Sequence, residues 1–180
     1  MGPFIEQPVE AARAMLERNC SVPMQLCHHF ARSMVQRGRG GIVILGSGAA
    51  LAGSRNMVAY GATKAFDMVF AEALWTELAP QGVDVLGLIL ADTDTPALRR
   101  MRYLRGLTAD PREPARGATP VRDVVREALA NIDKGPTHLV SWKLRIGSRL
   151  FSLLSRNAAV RLFTWLNGRV MGEHRTTERS

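Results

Sequence analysis

Tyr60 and Lys64 stand four residues apart in "NMVAYGATKAF", and Ser47 lies thirteen residues before the tyrosine. A phenol with a pKa of about 10 is a weak general base at neutral pH, but an ammonium close by stabilises its anion. Positions i and i+4 share one helix face, so a helix through this segment sets the lysine beside the tyrosine. Such a pair suits proton exchange with an oxygen that gains or loses negative charge during a reaction. Ser47 ends the apolar run "GGIVILGS". A serine at the C-terminal end of a strand sits where open α/β sheets place their ligands.

Other residues invite rival chemistries. Gly46-Ser47-Gly48 begins like a dinucleotide-binding loop, but the third glycine position holds Leu51 and the next helix starts late, near Met57. Helix amides would then miss a bound pyrophosphate, so the glycines give room and the serine carries the chemistry. Asp92-x-Asp94 follows the strand-like run "VDVLGLIL" and resembles the nucleophile motif of haloacid-dehalogenase-like phosphatases. Pro96 stands where that motif wants Thr or Val, and no later aspartate pair supplies a metal. Asp92 and Asp94 read more simply as turn and capping residues. His28 and His29 lie about 100° apart on a helix and do not share a metal, even with Cys27 beside them. His138 and His174 have no visible partner in the sequence, and no metal site is expected.

The elements that must hold these residues follow from periodicity and punctuation. A helix is expected from residue 8 to about 37, begun by Pro8, stopped by Gly38 and disturbed at Pro23. Residues 41–46 form a wholly apolar strand of the kind buried in a parallel sheet. A helix from about Met57 to Ala79 follows, with Ser54 or Asn56 as N-cap, and Val83–Leu90 is a second apolar strand. Residues 91–119 are too polar for core. Pro120 starts another helix in its first turn, residues 137–142 are a third strand, and residues 143–171 make one or two amphipathic helices before a polar tail at 172–180. The layout is α/β, with a thin parallel sheet of about three strands flanked by helices.

The stretch "GGIVILGSGAALAGSRNMVAYGATKAF" resembles the active-site segment of the short-chain dehydrogenase/reductase family, an apolar strand ending in serine followed by Y-x-x-x-K. "RNCSVPMQ" places Asn19 on that family's helix asparagine, and "VDVLGLILADTDTP" resembles its next strand and the cofactor loop that ends in Thr-Pro. The resemblance covers residues 3–142. It implies a partial doubly wound, Rossmann-like sheet and an NAD or NADP cofactor. Tyr60 would then exchange a proton with the oxygen of an alcohol or ketone while hydride moves to or from the nicotinamide. Lys64 would hold Tyr60 reactive and bond the nicotinamide ribose. Ser47 would orient the substrate oxygen, and Asn19 would hold a water that links Lys64 to solvent. Thr93 and Thr95 fall on the cofactor-contacting loop.

The sequence also departs from that pattern. It begins at "MGPFIEQP", which resembles the segment just after the family's fourth strand, so the glycine-rich phosphate loop and the residue that chooses NAD or NADP are not in it. The expectation is a truncated catalytic part over residues 1–142, with a basic helical extension over 143–180. Leu90-Ala91 replaces the family's Pro-Gly, and Gly46-Ser47 replaces its Ser-Ser doublet. Three readings stay open: a truncated oxidoreductase, a non-catalytic remnant or dimerisation partner of a complete homologue, and a misleading resemblance. Pairing as a homodimer or with a homologue would use the helices at 8–37 and 57–79.

The net charge of +8 is uneven. Residues 1–96 carry seven Lys/Arg against nine Asp/Glu, whereas residues 97–180 carry seventeen against seven. From Lys143 to Met171 apolar residues alternate with arginines, the pattern of a terminal helix packed on its own domain with a solvated basic face. Peripheral contact with an anionic membrane surface is a second reading, and nucleic acid has no supporting motif. Within residues 97–118, Leu98, Met101, Tyr103 and Leu104 could line an apolar pocket with Arg99, Arg100 or Arg102 at its mouth. Charges interrupt the N-terminal segment, no apolar run spans a bilayer, and Cys20 and Cys27 read as reduced thiols. A cytoplasmic protein is the expectation.

Overall fold

Val83–Leu90 (β2) is apolar at every position except Asp84 and Gly87, and only a strand flanked on both sides can bury such a run. The computed structural model, which describes residues 2–171, places β2 at the centre of a three-stranded sheet. Gly40–Ser47 (β1) pairs with it in parallel from Gly40 opposite Val83 to Ser47 opposite Leu90. Thr137–Leu139 (β5) pairs along the other side, also in parallel. The expected Rossmann-like α/β architecture is therefore present.

Helices cover both faces. Val58–Leu78 (α3) links β1 to β2 and Val121–Asn131 (α5) precedes β5. Leu86 and Leu88 of β2 meet Val124 and Ala128 of α5 on one face. Val83 and Val85 meet Ala31 and Leu78 on the other, with Met34 and Trp75 beside them. Gly87 matters here, because a Cβ at that point would come within 3.0 Å of Ala71 Cβ. α3 crosses the central strand closely for want of a side chain.

The N-terminal helix is a rod in two parts. Val9–Leu16 (α1) and Val22–Gln36 (α2) are joined by one wide π-helical turn, Glu17–Ser21, in which the Val22 amide reaches back five residues to the Glu17 carbonyl. Pro23 has no N–H to give the carbonyl four residues behind it, so the ladder widens just before the proline instead of kinking at it.

Several expected boundaries move. The N-cap of α3 is Met57, with no side-chain cap, while Asn56 takes a left-handed backbone (φ 62°) and Ser54 accepts a hydrogen bond from Asn167. Pro120 caps α5 from outside its first turn. β5 ends at Leu139, because Trp142–Ser152 (α6) claims the rest of that run as helix. The polar connection is itself structured: Thr93–Asp94 (β3) pairs in parallel with Thr119–Pro120 (β4), and Pro96–Leu104 (α4) lies between them. Arg156–Met171 (α7) completes the chain described here; the expected tail, with His174, lies outside the described residues.

Candidate active site

β1 ends at Ser47, and the chain then folds into a short turn in which Ser47 Oγ accepts the Ala49 amide at 3.2 Å. That bond orients the hydroxyl at the C-terminal edge of the sheet. Tyr60 and Lys64 lie in the first two turns of α3, on one face, as their spacing requires. All three side chains line one pocket of about 800 Å³, within the size range of small-molecule sites. Gly48 opens space for the opposite wall, since a Cβ there would sit 3.1 Å from Leu144 Cδ2.

The Lys64 ammonium donates to the Leu45 carbonyl at 2.8 Å and to Asp67 Oδ2 at 2.9 Å. An ammonium has three protons, so one remains for the pocket. Asp67 is almost wholly buried, and burial pushes its carboxyl above the usual range even though Lys64 pulls it down. The sequence reading passed over this carboxylate, although it stands three residues beyond Lys64 on the same helix. Asn19 lies on the wide turn and donates its amide to Thr63 Oγ1 at 3.0 Å. It borders a separate groove of about 440 Å³ together with Lys64 and Asp67. Lys64 thus lies between the pocket and that groove.

Thr93 and Thr95 reach the pocket from the far side of the sheet edge. Thr95 Oγ1 caps α4 by accepting the Leu98 amide, and Thr93 Oγ1 donates to the Ala91 carbonyl. The segment beyond them forms a lid. Leu98 and Met101 line the pocket as expected, whereas Tyr103 and Leu104 turn to solvent. Asp94 accepts two 2.7 Å bonds from the Arg99 guanidinium and one from the Ala115 amide, which hold its carboxyl down to about 2. Arg102 bridges Asp92 and the Arg116 carbonyl. Both aspartates therefore serve as anchors of the lid, a role beyond turn-making that leaves neither one disposed as a phosphatase nucleophile. Arg100 points away, and Arg102 is the arginine of the three that borders the pocket.

Three features were not legible beforehand. Leu144 of α6 and Phe163 and Asn167 of α7 line the pocket, so the C-terminal helices form part of its wall. Arg156 binds the Leu51 carbonyl and Asn167 binds Ser54, which ties α7 to the loop after β1. Thr108, in the lid, lines the pocket with its hydroxyl shielded from solvent and without a hydrogen-bond partner among the described residues. His138, expected to be alone, meets Glu127 at 2.9 Å, with Arg145 on the same carboxylate. No cluster of His, Cys, Asp or Glu that could hold a metal occurs among the described residues.

The donor set fits the nicotinamide end of a dinucleotide. Lys64, with its spare proton, and Thr93 and Thr95 line one pocket that also holds Ser47 and Tyr60. No glycine-rich phosphate loop occurs among the described residues.

Comparison with known proteins agrees with this fold. The family model described as short chain dehydrogenase matches residues 1–103. A very-long-chain 3-oxoacyl-CoA reductase of Ajellomyces capsulatus (strain NAm1 / WU24) is 29% identical over 74% of this chain and 36% of its own length. A 7beta-hydroxysteroid dehydrogenase of Clostridium sardiniense is 27% identical over 87% of this chain and 58% of its own. Among solved structures, a 7beta-hydroxysteroid dehydrogenase superimposes with a TM-score of 0.74 at 25% identity, covering 89% of this chain and 60% of that one. A short-chain dehydrogenase from Sphingobium yanoikuyae in complex with NADPH gives 0.66 at 26% identity, covering 99% and 63%. The chain spans about one third to three fifths of the length of these proteins.

Proposed function

The chain belongs to the short chain dehydrogenase family, and on that premise we propose that it carries the catalytic part of an NAD(P)-dependent oxidoreductase that interconverts an alcohol with a ketone or aldehyde on an apolar substrate. The observation that carries the reading is the convergence of Ser47, Tyr60 and Lys64 on one pocket whose lid contributes Leu98 and Met101. Two of the related proteins are named for acyl-CoA and steroid substrates, in keeping with an apolar pocket.

A nicotinamide held by Lys64, Thr93 and Thr95 would supply or accept the hydride. The protein's own work is proton transfer and positioning. Ser47 Oγ, oriented by the Ala49 amide, donates to the substrate oxygen and fixes its direction. Tyr60 Oη passes the proton to or from that oxygen. Lys64, held by Leu45 and Asp67, lines the same pocket as Tyr60 from the same face of α3 and would bond the nicotinamide ribose. Protons return through the groove that Lys64 shares with Asn19.

The test is calorimetric titration of the chain with NADH and NADPH, followed by a panel of hydrophobic ketones. Micromolar binding weakened by Lys64→Ala, and turnover reduced at least about a hundredfold by Tyr60→Phe, support the reading. A folded chain that binds neither cofactor at millimolar concentration would support the second reading, a non-catalytic partner of a homologous chain. That reading rests on Leu16, Val22, Leu26 and Phe30 of α1 and α2 and Val69 of α3, all large, apolar and exposed.

A further inference from the structure

α6 has two apolar faces. Leu144 points into the pocket wall and Phe151 meets Phe163 of α7 edge-on at 5.8 Å, which satisfies the helix on its inner side. Its outer side carries Trp142, Ile146 and Leu150, continued by the C-cap residue Leu153, and the four are exposed by 65%, 52%, 58% and 82%. At about 100° per residue these four fall within an arc of about 80°. Nothing in the described chain covers that stripe.

Its borders are cationic. By the same angular count Lys143 lies just beyond Leu150 and Arg149 just before Trp142, so an exposed basic side chain flanks the stripe on each side. Lys143 Nζ sits 5.9 Å from the centre of the Trp142 ring. α7 repeats the arrangement, with Leu162, Trp165 and Leu166 exposed on one side and Arg161 next to them. Residues 142–171 contain Lys143, Arg145, Arg149, Arg156, Arg161 and Arg169 and no Asp or Glu. A solvated helix face in a protein surface mixes both signs of charge, and this one has a single sign around an apolar stripe.

We infer that the outer faces of α6 and α7 dock on an anionic lipid surface, with Trp142, Ile146, Leu150 and Leu153 entering the headgroup boundary and Lys143 and Arg149 holding to acidic headgroups. Long basic side chains reach past apolar neighbours to such headgroups while their methylenes stay buried. No helix among the described residues is long and apolar enough to cross a membrane, so the helix lies in the interface plane. The inner faces of the same helices give Leu144 and Phe163 to the pocket, so the docked surface is the back of the pocket wall.

The experiment is flotation of the 180-residue chain with vesicles of phosphatidylcholine, alone or mixed with phosphatidylglycerol, in low and high salt. Binding to the mixed vesicles at least about tenfold tighter than to phosphatidylcholine, with a blue shift of tryptophan emission, is expected. Ile146→Asn/Leu153→Asn should weaken it about tenfold, and Lys143→Gln/Arg149→Gln should weaken it and remove most of its salt dependence. The substituted residues are exposed, and circular dichroism checks that both variants fold; should the first fail to fold, the second decides. Equal binding to both vesicle types, undiminished binding by either folded variant, or a stripe substitution that changes only the oligomeric state in light scattering would overturn the inference. None of these readouts depends on cofactor or turnover.

Discussion

Ser47, Tyr60 and Lys64 stand on a wall backed by Val85, Leu86, Leu88 and Ala71, all sealed from solvent. Across the pocket, Leu98, Met101 and Thr108 stand on a lid fastened by Asp94 to Arg99, Asp92 to Arg102, and two arginine bonds to backbone carbonyls. The first wall is held by removal of apolar surface from water, which salt and pH hardly touch. The second is held by charge at a partly wetted surface, which both can loosen. A pocket built this way keeps its reacting groups fixed while the cover over them can yield.

Substitutions separate the two walls. Leu88→Ala, at a fully buried position of β2, should cost about 4 kcal/mol in denaturant unfolding and lower both walls together, since the sheet carries them. Lys64→Met should cost about 3 kcal/mol by leaving the Asp67 carboxylate buried without its partner. Burial raises the Asp67 pKa above its ordinary value, so its contribution to stability is present below that value and is lost as pH rises through the raised one. Removing Lys64 removes the two interactions that restrain the rise. The loss should therefore be greater at pH 8 than at pH 5 in thermal melts, and equal losses at both would contradict the pairing.

Asp94→Asn should leave global unfolding little changed and speed hydrogen exchange at the Ala115 amide together with tryptic cleavage after Arg105 and Arg112. In the unsubstituted protein the Asp94 pKa of about 2 lies below the ordinary 3.8. The anchor is then fully formed above about pH 4 and is lost as pH falls toward 2. Exchange at Ala115 that ignores this window would show that the lid is held by something else. Thr108→Val should act in the opposite sense on stability, leaving it equal or slightly raised, because an unsatisfied buried hydroxyl is removed. Smallest of all, Gly48→Ala should shift the α6 wall by a few tenths of an ångström against Leu144, with a slight rise in KM and no change in unfolding.

The two walls were unequally legible from sequence. Val83–Leu90 could be read to the residue, because a wholly apolar run bounded by Gly82 and a polar loop admits few alternatives. Ser47, Tyr60 and Lys64 were readable because their spacing is local and each sits on one element. Asp67 shares that helix and could have been found by asking which carboxylate lies within a turn of Lys64. The lid was opaque. Asp94 chooses Arg99 over the neighbouring Arg100, and Arg102 chooses Asp92, through the fold of a loop whose path no periodicity encodes. Leu144 and Phe163 were out of reach for a different reason: they meet the pocket from about a hundred residues away, and a helix with two apolar faces does not announce which one turns inward.

The wide turn at Glu17–Ser21 takes up one residue more than an ordinary helical turn between α1 and α2. Deleting one residue from it would restore the ordinary ladder and reset the stretch of backbone that carries Asn19. Asn19 would then swing off Thr63, although no side chain in the pocket had been altered. In this rod the number of residues therefore matters as well as their identity.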